Sequence, residues 1–114
     1  MTKVTVTYEG GRIARLTCEG HAGRLAAGEN IVCAAVSILT QNCVNALEAI
    51  AGATPLTTVN EAKALIDIAL PRTEGQQEHD AQVILRTAVL GLQDIAKAYP
   101  TLVKLHTLNG RNIP

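Results

Sequence analysis

KVTVTYEGGRIARLTCE, residues 3–19, decides how the rest of the chain is read. Lys3 to Tyr8 alternates, with Val4, Val6 and Tyr8 on one face, and Arg12 to Glu19 alternates again after the turn signal Glu9-Gly10-Gly11. Two alternating runs joined by a short glycine turn predict a β-hairpin. The chain therefore opens with sheet, and the later segments must cover one of its faces.

Beyond the hairpin, Gly20 to Asn30 carries Gly20, Gly23 and Gly28 among small residues, a pattern that suits a mobile loop better than a helix or strand. Asn30 then reads as an N-cap. Val32, Ala35, Leu39, Cys43, Leu47 and Ile50 come next at spacings of three and four, which predicts a helix with that buried face, stopped by Gly52 and Pro55. Leu56 to Asn60 and Ala62 to Leu70 predict two more strands. The second puts Ala64, Ile66, Ile68 and Leu70 on one face and Lys63 and Asp67 on the other, and Pro71 closes it. Arg72 to His79 is polar. A second helical stripe runs through Leu85, Ala88, Val89, Leu92, Ile95, Ala96 and Tyr99, ended by Pro100, with a last strand over Thr101 to Leu108.

The order ββαββαβ, with two helices too few to cover both faces of such a sheet, predicts an α+β fold: an antiparallel sheet packed with two helices, in one domain over residues 1–114. Covering one side only leaves the other sheet face, or a helix face, partly apolar. Burial against a second copy is the usual solution, so a homodimer is expected.

Composition narrows the function. Hydrophobic residues make up 47% of the chain, carried by Ala, Val, Ile and Leu, with no Phe or Trp and 2 Tyr, so aromatic stacking on bases is poorly supplied. Ten basic residues balance ten acidic ones without a like-charge run, which argues against nucleic acid as a direct partner. The first strand begins at Lys3 with no apolar signal region before it, and no apolar run reads as approaching bilayer length. The expectation is a soluble, cytoplasmic protein with no membrane partner. Cys18, Cys33 and Cys43 form no CxxC pair, which argues against a disulfide framework and a zinc site.

One place is chemically loaded. Cys33 lies three residues after the expected cap Asn30, where unpaired N–H groups and the positive end of the helix dipole favour a thiolate. His21 opens the glycine-rich loop twelve positions earlier, and a loop that folds back brings its ring to Cys33 as an activated pair. The same N–H groups are placed to hold an oxyanion, so acyl transfer and peptide hydrolysis are the natural chemistry. Against this stands a plainer reading, with Cys33 a small core residue and His21 a turn residue. Ser37, one turn beyond Cys33, either faces the same pocket or bonds its own backbone. Cys18 and Cys43 fall on a strand and on the apolar helix stripe and are assigned to packing, and His79 and His106 to the surface. The loop lacks the Lys-Ser or Lys-Thr of a phosphate-binding loop, and Glu29 would repel an anion.

The string Gly20-His21-Ala22-Gly23, followed by Gly28-Glu29-Asn30-Ile31-Val32-Cys33-Ala34-Ala35-Val36-Ser37, resembles the ribosomal-processing cysteine proteases of bacteria over nearly the whole chain. The resemblance implies a homodimeric protease, free of metal and cofactor, that removes the N-terminal extension of a large-subunit ribosomal protein, number twenty-seven. It implies Cys33 as nucleophile and His21 as general base, with Gly20 and Gly23 at the flanking glycine positions, Ser37 at a serine position, and a loop that closes over the extension. Asn30 departs from the family's usual Asp, keeping the cap but losing a negative charge, and Arg24-Leu25-Ala26-Ala27 lacks the acidic and aromatic residues common there. Two other readings use the same residues: a non-catalytic peptide-binding or ribosome-assembly module built on the loop and helix terminus, and a redox-sensing thiol at Cys33.

Overall fold

The alternation in residues 3–19 becomes β1 (Thr2–Glu9) and β2 (Arg12–Glu19) in the computed structural model, which describes residues 1–20 and 27–109. Val4 stands opposite Cys18 and Val6 opposite Leu16, and all four are buried. A register shift between Thr7 and Tyr8 leaves Tyr8 half-buried. At the shift, Gln82 substitutes for a neighbouring strand. Its side-chain oxygen accepts from the Ile13 N–H at 2.7 Å, and its amide nitrogen donates to the Ile13 carbonyl at 3.0 Å.

The chain continues through α1 (Ala27–Ala49), β3 (Leu56–Asn60), β4 (Leu65–Ala69), α2 (Gly75–Ala98) and β5 (Val103–Asn109), the order ββαββαβ. The five strands lie in the order β3-β4-β2-β1-β5. The sheet is mixed, which corrects the expectation of a purely antiparallel one: β5 pairs parallel to β1, from Thr2 opposite Val103 to Tyr8 opposite Asn109. The cause is α2. Both β4 and β1 run antiparallel to β2, so they run together, and one helix between β4 and β5 returns the chain in that same direction. Strand β4 is shorter than expected because residues 61–64 form a turn. Asn60 Oδ1 accepts from the Lys63 N–H at 3.2 Å, and Ala64, with φ 48°, leaves the strand face on which Ile66 and Ile68 remain.

Both helices pack on one side, where Val4, Val6, Leu16 and Ile68 of the sheet join Val32, Val36, Leu47, Leu85 and Leu92 in one buried cluster. The buried stripe of α1 runs through Val32, Val36, Thr40, Cys43 and Leu47, whereas Ile50, expected on it, is 71% exposed. Thr40 enters the core because its hydroxyl has partners on its own helix, donating to the carbonyls of Val36 at 3.0 Å and Ser37 at 3.1 Å. The segment Ile31–Ala49 is long and apolar enough to cross a membrane by length and composition, contrary to the sequence expectation; in the fold it supplies this core stripe.

The uncovered sheet face is mostly polar. It carries Lys3, Thr5, Arg15, Thr17 and Glu19, with exposed Leu56 and Leu108 toward its two edges, and further exposed apolar side chains lie on the helices, Ile31 and Ile38 on α1 and Leu90 on α2. On that face Asp67 is buried beneath Arg15, whose guanidinium donates at 2.7–3.1 Å, and accepts from the Thr17 hydroxyl at 2.6 Å. These bonds hold its carboxyl below the usual range.

Helix α2 starts four residues before His79, within the segment read as polar connection. Its first turn has no apolar period to reveal it and is fixed by an ion pair. Buried Arg12 donates to Glu78 from Nε at 2.7 Å and Nη2 at 3.2 Å, and Nη1 reaches the Leu70 carbonyl at 3.2 Å. The Thr73 hydroxyl and N–H bond the same carboxylate at 2.7 and 3.2 Å. Arg12 first and Thr73 next bring the Glu78 carboxyl down to about 2.

Candidate active site

Where α1 diverges from the β3–β4 edge, a cleft of about 320 Å³ opens. Helix α1 forms one wall through Cys33, Ser37 and Gln41, which recur every four residues and so fall on one stripe. The opposite wall is the end of β3 and the turn after it, with Val59, Asn60 and Glu61. Thr2, Cys18 and Gly20 close the end against the first hairpin.

Gly20 is the anchor of that end. Its φ of 91° lies where side chains are rarely tolerated, and a Cβ there would stand 2.5 Å from the Met1 carbonyl oxygen. Its N–H is shared between the carbonyls of Lys63 and Ala64, each at 3.2 Å, and its own carbonyl accepts from the Thr2 hydroxyl at 3.0 Å. The residue that precedes His21 is thus tied to β1 and to the β3–β4 turn. His21 and Gly23 lie outside the described residues, as do residues 22 and 24–26.

The three cysteines separate by environment. Cys18 and Cys43 are buried; desolvation first, and the neighbouring Cys43 second, pushes the Cys18 thiol up to about 12, and burial pushes Cys43 up to about 11. Both stay protonated near neutral pH, which agrees with their assignment to packing. Cys33 is half-buried on the cleft wall. Ser37 is exposed on the same wall, one turn further on, and lines the cleft. His79 and His106 are both exposed.

The start of α1 requires a correction. Gly28 and Asn30 lie within the helix, which begins at Ala27, so Asn30 is not its cap and Cys33 is the seventh helical residue rather than one of the first turn. The N–H groups left unpaired at a helix start then belong to residues 27–30, centred roughly 7 Å along the axis from Cys33 at 1.5 Å per residue. The dipole effect falls off within the first turn, and Cys33 stands beyond that turn. A loop rich in glycine and alanine gives no apolar signal for that first helical turn.

Sequence reasoning missed Gln41, Asn60 and Glu61. Gln41 was findable, four residues beyond Ser37 on the helix. Asn60 and Glu61 were not, because they reach the cleft only through the pairing of β3 with β4. Among the described residues no group of His, Cys, Asp and Glu could hold a metal ion. The arrangement offers a thiol and a hydroxyl on one wall of an open, largely apolar cleft, with a fixed glycine at its end. It suits covalent attack on an extended substrate.

Residues 1–104 match the family model described as cysteine protease Prp. SMU.848 from Streptococcus mutans is similar in structure, with a TM-score of 0.88 and 30% sequence identity over 96% of this chain and 95% of that one. The essential ribosomal processing protease Prp from S. aureus, in complex with a substrate peptide, is 25% identical with a TM-score of 0.82, over 94% of this chain and 99% of that one. The same S. aureus protease with a covalently linked product peptide is 27% identical with a TM-score of 0.83, over the same shares. No curated protein matches.

Proposed function

Because the chain belongs to the cysteine protease Prp family, and is therefore a cysteine protease, we propose that it removes the N-terminal extension of a bacterial large-subunit ribosomal protein, number twenty-seven, with Cys33 as nucleophile and His21 as general base. The observation that carries this reading is the placement of Cys33. Of the three cysteines it is the one not buried, and it stands on the wall of the cleft.

In the reaction, His21 takes the Cys33 proton as the sulfur attacks the scissile carbonyl carbon. A C–S bond forms and the carbonyl π pair moves to oxygen. When that pair returns, the C–N bond breaks and the imidazolium gives its proton to the departing amine. Water, deprotonated by His21, then attacks the thioester, releasing the extension and restoring the thiol. Ser37 offers a hydroxyl donor from the same wall, and Gly20 fixes the point from which the segment bearing His21 departs. The covalently linked product peptide of the S. aureus relative fits a reaction that passes through a covalent intermediate.

The protein acts in the cytoplasm as a homodimer in this reading. Support for the dimer is the apolar surface of α1, where Ile31 and Ile38, two turns apart, are 65% and 67% exposed. The test is incubation of the wild type and Cys33→Ala with the ribosomal protein carrying its extension, followed by intact-mass analysis. The wild type is expected to trim it and Cys33→Ala to leave it whole, with both unfolding at the same temperature. Trimming by Cys33→Ala would overturn the nucleophile assignment, and trimming by neither would overturn the substrate.

A further inference from the structure

The sheet has two edges, and they are protected differently. Strand β5 carries Lys104 and His106, polar groups of the kind that discourage another chain from pairing. Strand β3 reads Leu-Thr-Thr-Val-Asn, with no charge and no proline, and all five residues are exposed; Leu56 is 63% and Val59 61% exposed. A neutral, β-branched edge of this kind is a template for another strand, and natural sheets normally block it. Within β3 itself no charged residue or proline does so.

This edge leads into the cleft. Val59 stands opposite Ile66 in the β3–β4 ladder, and both line the cleft together with Asn60, across from Cys33. The alternation of β3 therefore divides its side chains. Val59 and Thr57, opposite Ile66 and Ile68, share the register of the helix side, and Leu56 and Thr58, opposite Ala69 and Asp67, share that of the uncovered face.

We infer that an extended segment of the substrate polypeptide pairs with the free edge of β3 as a sixth strand, which delivers its scissile carbonyl into the cleft in front of Cys33. The inference rests on the protease reading and names how the substrate is held. Main-chain hydrogen bonds to β3 supply affinity independent of side chains, and alternate substrate side chains meet Val59 on one face and Leu56 on the other. The class of substrate that fits is an extended segment that is apolar at both alternating sets of positions. Five residues of β3 at about 3.3 Å each give a paired length of roughly 17 Å.

The test is a set of peptides spanning the extension, each with one backbone N–H replaced by N–CH3 at a successive position, cleaved by the wild-type protein. Pairing on one edge predicts a loss of about three- to tenfold in kcat/KM at every second position across some five residues, with little change between them, because only alternate N–H groups face β3. A flat profile, or one without that period, overturns the pairing. A second measurement does not depend on cleavage: amide hydrogen exchange of full-length Cys33→Ala with and without the unmodified peptide. Slowed exchange within 56–60 on adding peptide supports the inference. Unchanged exchange there overturns it, and so does slowing that tracks protein concentration without peptide, because a second copy would then occupy the edge. Failure of the protease reading shows separately, as an unmodified peptide left intact by the wild type.

Discussion

Gly20 and Gly11 form a matched pair that isolates what the anchor beneath the cleft is worth. Both have positive φ, 91° and 83°, so replacing either by Ala costs roughly 1–2 kcal/mol for the left-handed backbone, offset by about 0.4–1 kcal/mol from the stiffer unfolded chain. At Gly11 the new methyl group meets nothing within 4 Å, and Gly11→Ala is expected to cost about 1 kcal/mol. At Gly20 it meets the Met1 carbonyl oxygen at 2.5 Å, a backbone atom that cannot swing aside as a side chain does. Relief moves Met1 or Gly20. Either shift loosens the bond from Thr2 Oγ1 to the Gly20 carbonyl at 3.0 Å and that from the Thr2 N–H to the Leu102 carbonyl at 2.8 Å. At about 0.5–1.5 kcal/mol for each bond, Gly20→Ala is expected to cost roughly 2–4 kcal/mol. At about 4 °C per kcal/mol for a chain of this size, that is a fall in Tm of roughly 8–16 °C, against about 4 °C for Gly11→Ala. Urea unfolding followed by circular dichroism measures both, and peptide cleavage at a temperature where both variants are folded should fall for Gly20→Ala alone. Equal destabilisation of the two variants would refute the reasoning, since it would mean that the Met1 contact constrains nothing.

Two further outcomes concern the titratable groups. Burial holds Cys18 and Cys43 as thiols up to about 12 and about 11, so iodoacetamide at pH 7.5 should add one label to the native protein. Peptide mapping should place it on Cys33, and a second label before unfolding would contradict the assigned environments. Glu78 is lowered from 4.5 to about 2 by Arg12 and Thr73, so its contribution to stability is complete above pH 4.5 and is lost as pH falls through about 2. Denaturant unfolding between pH 5 and pH 2 should show wild-type stability falling more steeply than that of Glu78→Gln, and parallel curves would show that the ion pair is not the source.

The hairpin, much of the hydrophobic faces of both helices and the bounds of β3 were legible because each is local: alternation in Val4, Val6 and Leu16, or spacing of four and three in Leu85, Val89 and Leu92, comes from the geometry of one element. The direction of β5 was not, because it is set by how many times the chain reverses before it returns. The first turns of both helices escaped for a related reason. The segment from 27 to 30 contains glycine and no apolar period, and α2 begins on polar residues whose support, Arg12, lies on another element and is buried against the usual habit of arginine. Cys33 and His21 stood out through the resemblance of the strings around them. The opposing wall of the cleft, Val59 to Glu61, is assembled by strand pairing and carries no sequence mark of its own.

The pairing of Thr2 with Val103 has a consequence for synthesis. Of the five strands β1 is made first, yet its outer neighbour β5 is made last. At about 5–20 residues per second, some five to twenty seconds separate completion of the hairpin from completion of β5. Through that interval the Val-Thr-Val-Thr run of β1 shows a bare margin to the crowded interior of the cell, and every nascent chain passes through a stage in which it can join a neighbour instead of itself. The strand that ends the exposure carries Lys104 and His106, so these polar side chains arrive with the closing piece and remain as the finished border of the sheet.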